Sequence, residues 1–415
     1  MNRLKDSILS IVLGLNATII FIPSNFKFIP ILLLLVFSIF TLIKTKKIDY
    51  RFFVFGALPY LLLIIGMIYT ENLAYGLKRL ETGTSLLLYP FCFSVLSTKL
   101  LKKQSNRYLN YFLVIFCLST CIFSISIIFY FSFFEDRSLT YIIHHYNTLI
   151  DKSIHPKFQI HSIYLALYVG LSIFFSIFIL FKSKNMYKKA LMILSIILFL
   201  FLLVVMNKRM SIIGLVIASI ISFVFSLKRL SNRKWIIMIF GTIVFSIMVI
   251  GIIKLPRFQN QNSFDEIYEI EETINNTESS IGKRLFIYSC TLELFVNKPI
   301  FGYGTGDSND SLHLQMLKNI NKTHINKYNT HNQYLSYLLS TGLIGFLIFL
   351  YYAYGLFNKA IKNQDIIFLS VLLFFFLNML TENILEREAG VICFAFLCNL
   401  YLRKNWYNKQ LKNVN

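Results

Sequence analysis

Apolar residues run through this chain in blocks of about 20, the length that crosses a hydrocarbon core, separated by polar segments. Twelve blocks predict spanning helices, at roughly 7–23, 28–43, 52–70, 82–98, 109–133, 160–181, 190–206, 210–227, 235–253, 331–357, 364–381 and 388–402. The period-two alternation that a barrel strand needs does not occur. The expected fold is all-α and polytopic. Most connections are short, and two are long, at 134–159 and 254–330. The chain then divides into spans one to nine over 1–253, a large loop with helices over 254–330, and spans ten to twelve with a tail over 331–415.

Composition agrees with the pattern. Charged residues make up 15% of the chain, against about a quarter in soluble proteins. The net charge of +21 is unevenly shared. With the N-terminus in the cytoplasm, the inner segments hold 24 Lys and Arg against 3 acids, and the outer segments hold 17 of each. That asymmetry gives both termini inside. It also removes nucleic acid as the reason for the basic balance; the inner loops are topological signals that also suit anionic lipid. The start, Met1-Asn2-Arg3-Leu4-Lys5 and then Ile8 to Ile22, reads as a retained first span, because no small-residue cleavage site follows. Five of the six cysteines lie inside apolar runs, Cys290 being the exception, so neither a disulfide framework nor a zinc site is expected. No internal repeat is evident, which disfavours the common transporter folds.

The unusual polar residues fall on the outer connections. Glu71, Asn72, Lys78, Arg79 and Glu81 follow span three. His144, His145, His155 and His161 surround the entry to span six, and Asn207-Lys208-Arg209 makes the turn between spans seven and eight. Arg284 lies in the large loop, His331 closes it, and Glu382, Glu386 and Arg387 lie between the last two spans. A reaction therefore belongs on the outer face, where ATP and nucleotide sugars are absent. An energy-carrying substrate must then arrive through the membrane, as a lipid-linked donor.

Three residues stand out. Asn329 or Thr330 is expected to cap the helix of span ten, which puts His331 in its first turn, at the membrane surface and beside the positive end of the helix dipole. Arg209 reads either as a snorkelling anchor for span eight or as a guanidinium fork for phosphate oxygens. Arg284 falls in the first turn of a helix capped at Ser279 or Ser280 and ending near Asn297, before Pro299. It is either a solvated charge or part of an anion site among free backbone N–H groups. Lys298 to Gly306 reads as a sharp, close-packing loop and not as a dinucleotide fingerprint. The acidic run Asp265-Glu266, Glu269 and Glu271-Glu272 reads as a solvated helix face. No Asp-x-Asp pair lies on the outer face, so a metal-dependent sugar transfer has no evident ligand set.

Together these stretches resemble the O-antigen ligase and polymerase superfamily of bacterial surface-polysaccharide enzymes. The resemblance rests on His331-Asn332-Gln333-Tyr334-Leu335 opening a span that continues to Gly342-Leu343-Ile344-Gly345. It rests also on Arg284 upstream of Lys298-Pro299-Ile300-Phe301-Gly302-Tyr303-Gly304, and on the Arg209 turn, where Lys208 stands in place of the family's usual serine. It implies a GT-C-type membrane glycosyltransferase with a large periplasmic loop between spans nine and ten. The implied protein lies in the inner (cytoplasmic) membrane, its site faces the periplasm, and it uses no cofactor, metal or nucleotide sugar. The donor would be a glycan on undecaprenyl diphosphate. The acceptor would be a hydroxyl of lipid A–core in a ligase, or a growing glycan in a polymerase of the same superfamily. Arg209 and Arg284 would clamp the diphosphate, with Arg79, Asn332 and Tyr334 also binding substrate, and His331 would be the general base. A lipid-linked-glycan flippase is the alternative from another class, and would place charges deep in its spans.

Overall fold

The computed structural model describes residues 2–96, 98–158, 160–227, 280–320 and 326–406. The predicted span at 235–253, the loop with its acidic run up to 279, and the tail beyond 406 lie outside the described residues. The helices are α1 (Asn2–Ala17), α2 (Phe28–Thr45), α3 (Tyr50–Met67), α4 (Leu73–Gly83), α5 (Ser85–Val95), α6 (Thr98–Phe133), α7 (Leu139–Leu149), α8 (His155–Phe158), α9 (Ser162–Lys182), α10 (Met186–Met206), α11 (Arg209–Leu227), α12 (Ser280–Asn297), α13 (Ser308–Ile320), α14 (Gln333–Lys362), α15 (Ile366–Asn378) and α16 (Glu388–Asn405). No strand occurs among the described residues.

Among the described residues, seven helices are long and apolar enough to cross a membrane, and those at Ser7–Ala17 and Ile366–Asn378 are shorter apolar helices. The protein is a polytopic membrane protein. The predicted span at 82–98 is α5 preceded by the last turn of α4, with Pro90 inside α5. α16 has the length of a span but not the apolarity, and the reason is its position. It packs against α4, α5, α6, α14 and α15, and its residues from Ala389 to Arg403 are buried. A helix enclosed by protein presents no face to lipid, so it can carry Asn399 and two cysteines. Aromatic rings fill the space around it: Phe112 meets Phe396 at 5.1 Å and Phe375 meets Phe394 at 5.3 Å.

α14 is not the continuous span expected from the sequence. It breaks at Gly342, which holds φ 63° and ψ −164°. The backbone groups freed there are taken by the loop that follows α12. Tyr303 and Gly304 donate to the carbonyls of Leu339 and Ser340, both at 2.9 Å, and Leu343 donates to Pro299 at 2.8 Å. Two glycines permit the approach. A Cβ on Gly342 would stand 2.2 Å from the Ile300 carbonyl, and one on Gly302 (φ 70°) would stand 2.4 Å from that of Leu339. The same loop is tied to α3, where Thr305 bonds the carbonyls of Gly66 and Leu63. The loop expected to pack closely does so.

Charged residues gather at the two ends of the bundle. At one end Arg403 pairs with Asp49, and Lys404 with Asp365. At the other lie the pairs of Lys27 with Glu388, Arg79 with Glu386, His161 with Asp151, and Arg284 with Glu382.

Candidate functional site

The start of α14 fixes the site. Asn332 is the N-cap: its side chain accepts from the amides of Tyr334 (2.9 Å) and Leu335 (3.2 Å). This corrects the expected cap at Asn329 or Thr330. Asn332 wins because its side-chain oxygen reaches two free N–H groups of the first turn. His331 therefore stands one residue outside the helix, in the left-handed region at φ 45°. A non-glycine residue holds such a conformation at a cost of about 1–3 kcal/mol, and only when its surroundings impose it. Here its N–H donates to Asn329 Oδ1 at 3.1 Å, and the Tyr288 hydroxyl lies 3.3 Å from its carbonyl.

The connection between α15 and α16 is folded onto this start. Gln333 donates its N–H to Met379 (2.9 Å), and its side-chain oxygen accepts from the Leu385 amide (2.7 Å). Thr330 and Asn383 bond through their side chains. Held between these points, Glu382 turns toward His331. Its Oε2 is 3.8 Å from His331 Nδ1, inside the range of charge contact but too long for a hydrogen bond. Its Oε1 accepts from Arg284 Nη2 at 3.1 Å. α12 delivers Arg284 as its fifth residue, just past the first turn expected from the sequence. One carboxylate thus stands between a guanidinium and an imidazole, each about one third exposed (34% and 32%) while the carboxylate is 13% exposed.

The other expected site residues lie differently. Arg209 opens α11, which packs along α15 and is pinned there by the Ser211–Asn378 hydrogen bond of 2.9 Å. That places it at the same end of the bundle. Arg79 is buried and does not join the group at Glu382. It pairs with Glu386 at 2.9 Å, and Glu386 also accepts from Ser336. Tyr334 points its hydroxyl at the Phe376 carbonyl (2.9 Å). Asn332 and Tyr334 therefore hold the protein's own backbone. Two residues of the site were not singled out from the sequence. Glu382 was visible as an acid in a short connection between apolar runs. Tyr288 shares a helix face with Arg284 four residues earlier, a spacing that brings side chains together.

Beside Glu382 lies a second polar group. His161 Nε2 is 3.3 Å from Asp151, and its ring meets that of His155 at 5.8 Å. Burial holds both imidazoles below their ordinary value near 6.5. Arg387 and Lys27 press further on His155, and Lys208 on His161, while Asp151 opposes the shift at both and Glu382 at His161.

Residues 194–350 match the family model described as O-antigen ligase. Over that segment, a little under two fifths of the chain, it is similar to the O-antigen ligase superfamily. The segment contains Arg209, Arg284 and His331, and it ends inside α14, before Glu382. An uncharacterized protein of Haemophilus influenzae is 25% identical over 185 residues, 43% of this chain and 41% of that protein. The chain thus spans about two fifths of the length of that curated relative.

Proposed function

We propose that this protein is an O-antigen ligase-type membrane glycosyltransferase that moves a glycan from undecaprenyl diphosphate to a hydroxyl of lipid A–core at the periplasmic face. The observation that carries the reading is the convergence of Arg284 and His331 on Glu382. In this reaction the acceptor oxygen bonds to the anomeric carbon as the bond from that carbon to the diphosphate oxygen breaks. The diphosphate leaves with the electron pair, and the acceptor's proton passes to His331. Arg284 bonds Glu382 through one N–H and is 34% exposed, which leaves the rest of its fork for phosphate oxygens. Arg209, at the head of α11, supplies a second guanidinium. Glu382 beside Nδ1 favours the tautomer that leaves Nε2 as the base, and its charge opposes that of the imidazolium formed. No step is assigned to a metal or a cofactor.

A flippase fits less well. The ion pairs of the described residues involve helix ends, the short α4 and the connections, not the middle of the long spans. Deleting the gene and resolving the surface polysaccharide on a gel tests the reading. Full-length chains retained on the lipid carrier are expected. Single repeat units would instead assign a polymerase, and unchanged surface polysaccharide would refute both.

A further inference from the structure

Several polar atoms without partners gather on the flank of the site formed by α7, α9 and the 206–208 turn. Asn147 donates its amide nitrogen to the Met206 carbonyl at 2.5 Å, and its Oδ1 is shielded and has no hydrogen bond. The adjacent Asn207 closes α10 in the left-handed conformation (φ 46°), and its Oδ1 is likewise shielded and unbonded. His155 Nδ1 is in the same condition, and its ring leans edge-on against that of His161. Asp151 accepts from both the amide and the hydroxyl of Ser162, at 2.7 and 3.0 Å, and so fixes this edge of the flank to the start of α9. In the first turn of α9, Tyr164 reaches the carbonyl of Asn383, the neighbour of Glu382, at 3.4 Å.

Shielded polar atoms are costly unless something bonds them. The chemistry of these atoms selects the partner. Two amide oxygens and a carboxylate repel a phosphate, but they accept from hydroxyls. An uncharged imidazole both donates and accepts, as a hydroxyl does. Burial, acting on both His155 and His161, favours that uncharged form.

We infer that Asn147, His155, His161 and Asn207 form a shelf that binds hydroxyl groups of the saccharide acceptor, next to the diphosphate end of the donor at Arg284. This rests on the transferase reading above.

The full-length protein in lipid bilayers, with purified lipid A–core as the titrated acceptor, tests it. Asn207→Gly removes the amide while keeping a backbone conformation that glycine adopts readily, and His155→Gln gives an independent variant should the first fold poorly. Each is expected to raise the acceptor KM by about tenfold, the scale of one or two lost hydrogen bonds, with the donor KM held within about twofold. An active protein in which both variants keep the wild-type acceptor KM would overturn the shelf and leave the transferase standing. A rise in donor KM alone would likewise overturn it, by moving the diphosphate end there. A wild type that transfers nothing would overturn the transferase and the shelf together.

Discussion

The two ends of the bundle use the same residue types to opposite effect. At the Asp49 end the inward-facing charges of Arg403 and Asp365 are each held by several fixed partners. Arg403 bonds Asp49 at 2.8 Å and the carbonyls of Leu96 and Ser94 at 3.0 and 3.2 Å, with its side chain 5% exposed. Asp365 caps α15 and accepts from Lys404 and Asn405, both at 2.8 Å. At the Glu382 end one carboxylate is shared loosely. Arg284 reaches it through a single bond, and His331 stops short of one. Even there, the layer below is tight, with Arg79 buried on Glu386. A staple needs saturated, desolvated charges. A site needs charges that are positioned but still have bonds to give. Fixed neighbours, not the shared carboxylate, do the positioning: the Asn332 cap, the Gln333 contacts, and the interlock of Gly342 with the loop after α12.

That contrast can be broken at either end. Arg403→Ala should lower stability by about 3–5 kcal/mol, since it removes a buried guanidinium that bonds Asp49 and two backbone carbonyls; thermal unfolding in detergent reads this, and an unchanged midpoint would deny the staple. Arg284→Lys should leave the midpoint in place and slow transfer roughly ten- to a hundredfold, the scale of a lost bond to a charged group at about 1.5–3 kcal/mol. If it instead unfolds the protein and spares turnover of the folded fraction, the two ends are alike. Tyr334→Phe should cost about 1 kcal/mol of stability, through its bond to the Phe376 carbonyl, while the folded fraction turns over normally. A turnover defect at full stability would return Tyr334 to the substrate.

The smallest expected effect is of pH. The folded state holds His155 and His161 below their ordinary value, so the unfolded chain takes up their protons first. Their contribution to stability is present above about pH 6.5 and is lost as pH falls below it. The groups facing them are Asp151, Lys27, Lys208, Glu382 and Arg387. The midpoint should therefore fall with pH below about 6.5, and less steeply once both are glutamine; an equal slope would remove the histidines from the cause.

Much of this was legible in the chain. The all-helical, many-spanning character, the helix that carries Arg284 and the close-packing glycine loop follow from period, caps and Pro299. His331 could be named, but its helical position was misjudged. Asn329, Thr330 and Asn332 can all cap a helix, and only the fold shows that Asn332 meets the free amides. The break at Gly342 was hidden for a related reason, since a glycine in an apolar run reads as a tolerated helix residue until another backbone occupies the gap. Glu382 was visible as a polar residue but not as the meeting point. Its role depends on contacts with α12 and α14, distant in sequence, that no local spacing encodes.

The most direct measurement is transfer by the purified protein in lipid bilayers, in chelator, from an undecaprenyl-diphosphate glycan to lipid A–core, comparing wild type with His331→Ala. Wild type is expected to transfer. The variant should remain folded and bind donor, yet lose about 10²- to 10⁴-fold in turnover, the contribution of a positioned general base. A variant that transfers at the wild-type rate would contradict the assignment of His331, and with it the meaning given to its convergence with Arg284 on Glu382.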